Sequence, residues 1–191
     1  MLITTPALVL ASRAHGEHGV VLRALTPEHG HQAGYVRGGR SRRLRPVLSP
    51  GNLIQVEFRA RVEEQLAAAT IELAHSRAPL LSEALPAAAI EWVCVLTAVT
   101  LPEGHPYPAL WEGLTGLLDA IEHAPSARGW ATGMLSYEQL LLTELGFGAA
   151  FEPGLERNGR ALETHLFTGR RIDVLAARER LVDRLKRLRP G

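Results

Sequence analysis

The chain contains one cysteine in 191 residues, Cys94, so no internal disulfide can form. A small disulfide scaffold is excluded, and a cytoplasmic compartment is the simplest expectation. Long apolar runs are also missing. The longest, IEWVCVLTAVTL, has 12 residues and includes Glu91, too short to span a bilayer. No basic stretch leads into an apolar core at the N-terminus, so no signal peptide is expected. Aromatic residues make up only 5% of the chain. Lys186 is the single lysine; the other 20 basic residues are arginine. The sequence has no G-x-x-x-x-G-K-[ST], no G-x-G-x-x-G after a strand and no G-x-S-x-G. No cofactor and no enzymatic activity are expected.

What is present is unevenly distributed. The net charge is only +1. Residues 1–76 hold nine arginines against six acids, residues 77–169 four against eleven, and residues 170–191 eight basic residues against three acids. A basic front, an acidic middle and a basic tail point to separate surfaces. The periodicity divides the chain at the same place. Up to residue 76 it alternates in twos: in NLIQVEFRA, Ile54, Val56, Phe58 and Ala60 share one face and Gln55, Glu57 and Arg59 the other. PALVLASRA, GVVLRALTPEHG, HQAGYVRG and QLAAATIELA behave as further short strands. Five strands punctuated by Gly and Pro suit a small barrel of the oligonucleotide-binding type. From residue 79 the period is helical. Pro86 fits a helix start, Leu110, Leu114, Leu117, Leu118 and Ile121 make one face, and Trp130, Met134, Tyr137, Leu141 and Leu145 another. EPGLERNGRALETHLFTGRR reads as a turn-rich insertion with a hairpin. Asp173 can cap a last basic helix whose stripe, Val174, Leu181, Leu185 and Leu188, is expected to pack on its own domain. The fold class is therefore α+β: residues 1–76 form an N-terminal five-stranded β-barrel and residues 79–191 an α-helical domain.

The densest charge lies in VRGGRSRRLRP, where Arg37, Arg40, Arg42, Arg43 and Arg45 fall within nine positions with no acid among them. Between the third and fourth strands this is a loop, given freedom by Gly38 and Gly39. Guanidinium groups make charge-assisted, often bidentate contacts with phosphates, so nucleic acid is the favoured ligand over a merely solvated loop. Arg13, Arg59 and Tyr35 are placed in support. Tyr35 can stack on a base or be buried, whereas Phe58 belongs to the core. Binding should be dominated by phosphates and tolerant of sequence. His15, His18, His29 and His31 flank turns and lack the spacing of a metal site, so solvated histidines and no metal are expected. Cys94 reads as a buried, inert thiol. Glu112, Asp119 and Glu122 read as a solvated face.

ALVLASRAHGEHGVVLRALTPEHGHQAGYVRGGRSRRLRPVLSPGNLIQVEFRAR resembles the start of the RecO recombination-mediator proteins. The likeness rests on the extended first strand, the turn at Gly16 and Glu17, the LTPEHG turn, the V-R-G-G-R loop and L-S-P-G-N before the alternating strand. YEQLLLTELGFG resembles a later helix of that family. The resemblance implies an oligonucleotide-binding barrel followed by helices and a non-enzymatic role in DNA repair and recombination. That role comprises binding single-stranded and double-stranded DNA, annealing complementary strands and assisting recombinase loading. It implies as partners a RecR-type mediator and the C-terminal tail of single-stranded DNA-binding protein, and a nucleoid-associated location. Many members carry a four-cysteine zinc module after the position of Gly148. No cysteine follows Cys94 here, so structural zinc is not expected. Two rival readings of the residues remain: an RNA-binding barrel, and a protein-interaction scaffold whose basic loop is solvated. A histidine-metal enzyme is the weakest.

Overall fold

The computed structural model describes residues 1–62, 65–148, 151–168 and 174–187. Five strands lead the chain: β1 (Leu2–His15), β2 (Gly19–Thr26), β3 (Gly30–Val36), β4 (Leu53–Arg59) and β5 (Ala67–His75). They close into a barrel in the order β1-β2-β3-β5-β4. β1 is long enough to serve two neighbours. Leu2 to Leu8 pair with β4, and from Leu8 onward, through an irregularity between Val9 and Ala11, the strand pairs with β2. All contacts are antiparallel except the β3–β5 seam, which is parallel and holds only Gly34↔Ala67 and Tyr35↔Ala68.

The alternation of twos sorts side chains as the sequence requires. Ala7, Val9, Val20, Leu22, Val36, Ile54, Val56, Phe58, Ala69 and Ile71 fill the barrel. The opposite face of β1 and β2 is not all solvent. Leu8, Leu10 and Leu25 join the helices in a second, larger core. The helices are α1 (Ala84–Thr100), α2 (Pro108–His123), α3 (Ala131–Glu144), α4 (Leu155–Leu162) and α5 (Val174–Arg187). The buried residues of α2 are Leu110, Leu114, Leu117, Leu118 and Ile121, the five that its spacing puts on one face. Trp130, Met134, Tyr137 and Leu141 are buried around α3, which ends before Gly146 at φ 87°.

The expected hairpin after residue 151 is not there. LERNGRAL forms α4, and Glu163–Phe167 continues it as a π-helical turn. Asn158 is the reason a polar run can hold a helix here: buried, it donates to the Leu135 carbonyl at 2.8 Å and accepts from the Gly154 amide at 3.1 Å. On α5, Val174, Ala177 and Leu181 face inward, and so does one of its basic residues. Arg178 donates through Nε and Nη2 to both oxygens of Glu138, at 2.8 and 3.0 Å, in the buried core. Trp92 Nε1 donates to the same carboxylate at 2.9 Å, so the pair ties α1, α3 and α5 together. The expected cap at Asp173 and the stripe residue Leu188 lie outside the described residues.

Barrel and helices meet at Arg77, which is only 4% exposed. Its backbone N–H donates to Asn52 Oδ1 at 2.8 Å and its Nη1 to the Gly51 carbonyl at 2.9 Å. Nη2 pairs with Asp119, and Nε lies 3.1 Å from Glu122. His75 Nε2 is 2.9 Å from the same Glu122 carboxylate. Asp119 and Glu122 are thus not a free solvated face but the acidic half of a junction; Glu112 stays exposed. The sequence could not announce this, because the partners lie more than forty residues apart.

Candidate nucleic-acid interface

The arginine stretch is not an open loop. From Gly38 to Gly51 the backbone winds through successive turns: the Arg45 amide donates to Ser41 O at 2.9 Å and the Leu48 amide to Leu44 O at 3.2 Å. Leu44, Val47 and Leu48 pack against the barrel interior. Their i, i+3, i+4 spacing is that of a helical turn, a signal present in the sequence and overshadowed by the charges. The two glycines serve shape rather than freedom. Gly38 takes φ 68°, and a Cβ at Gly39 would come within 2.8 Å of Val20 and 3.1 Å of Leu48. Buried Asn52 fastens the far end, donating to the carbonyls of Pro46 at 2.9 Å and Val47 at 3.1 Å.

With the leucines and valine inward, Arg37, Arg40, Arg42, Arg43 and Arg45 are all left exposed. Arg40 is aimed by the turn between β1 and β2: its amide donates to His18 O at 3.3 Å and its Nη1 to Glu17 O at 2.9 Å. These acceptors are backbone carbonyls, so the positive charge is not neutralised. Among the described residues no carboxylate pairs with any of the five.

Arg13, Tyr35 and Arg59 come from three strands yet lie on one line. Cross-strand pairing runs Arg13↔Val21, Val21↔Tyr35, Tyr35↔Ala68 and Ala68↔Arg59. Paired residues share a face, so this row crosses the outside of the barrel at the end where the arginine segment begins. Tyr35 is half-buried there. Its ring lies edge-on to His15, with centroids 5.9 Å apart, and over Gly19, where no side chain would fit. Arg59 makes an exposed contact with Glu57 at 3.1 Å, of little energetic weight. Arg37 and Arg40 thus join Arg13, Tyr35 and Arg59 at one end; Arg42, Arg43 and Arg45 follow along the wound segment.

The family described as "Recombination protein O N terminal" matches residues 1–77. A DNA repair protein RecO of Rhodospirillum centenum is 38% identical over 192 residues, covering 98% of this chain and 75% of that protein. The RecO of a Ruegeria species is 37% identical over 188 residues, covering 96% and 76%. This chain belongs to the RecO family. With the RecO of Cereibacter sphaeroides it is 39% identical over 140 residues, and that match spans 57% of the relative's length. The RecO N-terminal domain is an oligonucleotide-binding fold, and the closed barrel with its 1-2-3-5-4 order is that fold here.

Other residues of the RecO-family chain depart from what the sequence suggested. His31 is not solvated: it is fully buried, with Nδ1 donating to Leu101 O at 3.1 Å and Nε2 without a partner among the described residues. Burial holds its pKa below the usual imidazole range, outweighing the Leu101 hydrogen bond. His15 and His18 are exposed and His29 half-buried. Among the described residues no three potential ligands gather around a metal position. Cys94 is buried, and burial pushes its thiol up to about 12. Arg23 is the basic residue that sequence reading passed over. The alternation in GVVLRALT puts it outward beside Val21, and it meets Glu103 only at 3.9 Å.

Proposed function

We propose that this chain binds single-stranded DNA through its barrel and acts as a recombination mediator in DNA repair. It anneals complementary strands and assists recombinase loading without ATP hydrolysis. One observation carries the reading: the wound segment buries its leucines and leaves five arginines exposed and, among the described residues, without carboxylate partners, beside the row Arg13–Tyr35–Arg59. Such a surface neutralises backbone phosphates whatever the base sequence. Tyr35 offers a half-exposed ring on which a base can stack. Annealing follows from the same chemistry. Guanidinium groups on two strands lower their mutual repulsion, and base pairing itself supplies the driving force. The relatives' names, DNA repair protein RecO, support this reading. A RecR-type protein and the tail of single-stranded DNA-binding protein complete the proposed set of partners.

The test is fluorescence anisotropy with labelled oligo-dT across a salt series. Five engaged arginines give a slope of log K against log salt of about −3.5 for a single strand. Changing Arg40, Arg42 and Arg43 together to alanine should bring it to about −1.4. An identical slope in both proteins, or no binding at low salt, would overturn the assignment and favour the scaffold reading.

A further inference from the structure

Beside the arginine segment, the described residues form a half-open hollow of about 910 Å3. That is the upper part of the roughly 300–1,000 Å3 range of ligand sites. It runs between the outer face of β1–β2 and helix α1. The barrel side contributes Arg13, His15, Val21 and Arg23. The helix side is apolar, made of Val95, Ala98 and Val99. Glu103 lies in its lining too, and its contact with Arg23 is long and half-exposed at both ends, so that pair is easily parted. Arg13 forms no ion pair among the described residues. Arg13 and Arg23 stand diagonally across the β1–β2 ladder, at positions about 7–8 Å apart.

A second, shallower depression of about 410 Å3 lies next to it, lined by Tyr35, Leu66 and Ala68. His15 and Gly16 line both hollows. The two are therefore one track, passing from the Tyr35 ring across His15 into the groove against α1. Cations border the track, while apolar side chains and an aromatic ring floor it. A flexible chain with an anionic backbone and flat apolar faces matches that alternation, and a single nucleic-acid strand has both.

We infer that this groove is a second segment of the single-strand site. Phosphates lie on Arg13 and Arg23, and a base lies on the apolar wall of α1 at Val95 and Val99. The inference rests on the single-strand reading above and extends it: a helix, not only the barrel, forms part of the DNA track. The strand leaves the arginine segment at Arg40, crosses Tyr35 and His15, and ends near Glu103, where a carboxylate repels further phosphates.

The test places an environment-sensitive thiol dye at Val99→Cys in the full chain; Cys94 is buried and stays unlabelled. The same dye at Phe147→Cys, on a surface that lines neither hollow, is the control. Oligo-dT should change the Val99 dye with the midpoint seen by anisotropy and leave the Phe147 dye silent. In parallel, Val99→Glu should weaken oligo-dT binding roughly tenfold, as expected for losing one base contact. Arg13→Ala with Arg23→Ala should reduce the salt slope by about 1.4. If oligo-dT binds with a slope of only about −3.5, that of the arginine segment alone, while the dye is silent and Val99→Glu binds as wild type does, the groove assignment is wrong and the arginine-segment reading stands. If oligo-dT does not bind at low salt, both fall. A dye response to a peptide of Glu and Phe residues, with none to oligo-dT, would give the groove to a protein partner and overturn the inference.

Discussion

Replacing Asn52 by alanine should loosen the arginine segment without touching an arginine. The side chain is fully buried and holds three backbone groups: the carbonyls of Pro46 and Val47 and the amide of Arg77. Pro46 O keeps a bond from the Ser49 amide at 3.3 Å, so two groups are orphaned, Val47 O and the Arg77 N–H. A buried polar group left without a partner costs about 1–3 kcal/mol, which puts the loss near 3 kcal/mol or somewhat above. For a chain of this length that is a fall in Tm of about 6–12 °C. Asn52→Asp restores the acceptor for Arg77 but turns an oxygen toward two carbonyls, so it should remain destabilised. Thermal unfolding followed by circular dichroism measures the loss. Hydrogen exchange then localises it: the Arg45 and Leu48 amides, bonded to Ser41 and Leu44, should lose protection first. A fall in Tm below about 2 °C for Asn52→Ala, with those amides still protected, would refute the view that Asn52 fastens the segment.

Three further outcomes follow from buried or coupled charges. Arg178→Ala strands the Glu138 carboxylate in the core and should cost about 3–5 kcal/mol in chemical denaturation, whereas replacing both partners by apolar residues of similar volume should recover most of it. For Glu122, burial alone would raise the carboxyl, but the His75 hydrogen bond and the charges of His75, Arg77 and His123 outweigh it and hold it below its ordinary 4.5. Its stabilisation is therefore present above the unfolded carboxylate value and lost as pH falls through the folded one; the Tm gap between wild type and Glu122→Gln should close on acidification below 4.5. His31 has the opposite charge type and the same direction of loss. Its folded imidazole resists protonation, so stability should fall as pH drops below 6.5 toward the folded value, a component missing in His31→Gln, and the ring should titrate below 6.5 by NMR.

The parts of the molecule legible in the sequence are those set by neighbours along the chain. NLIQVEFR shows which residues of β4 point inward, and the leucine spacing of α2 shows its buried face, because both repeats are local. The five arginines were equally plain as a charge cluster. Their setting was not, since the packing of Leu44, Val47 and Leu48 reverses the expectation of a free loop only once the barrel interior is in place. Arg77 with Asp119 and Glu122, Arg178 with Glu138, and His31 under Leu101 were hidden for a further reason. Each looks like an ordinary exposed polar residue until a segment forty or more positions away covers it or, for Asp119, pairs with it. α4 is not legible in the sequence because its polar composition is carried by one buried asparagine that no periodicity marks.

The β3–β5 seam gives the barrel a hinge side. Every other seam is a ladder of seven rungs, but this one is latched by two, Gly34↔Ala67 and Tyr35↔Ala68. A ring opens where it is joined least, so local opening of the barrel is expected at this latch before any other seam. Tyr35 is one of the latch residues, and it is also the ring on the proposed strand path. The girth of the barrel and the position of that aromatic surface are then a single coordinate. A ligand resting on Tyr35, as proposed, would act as a clasp, stiffening the whole ring by holding its loosest joint.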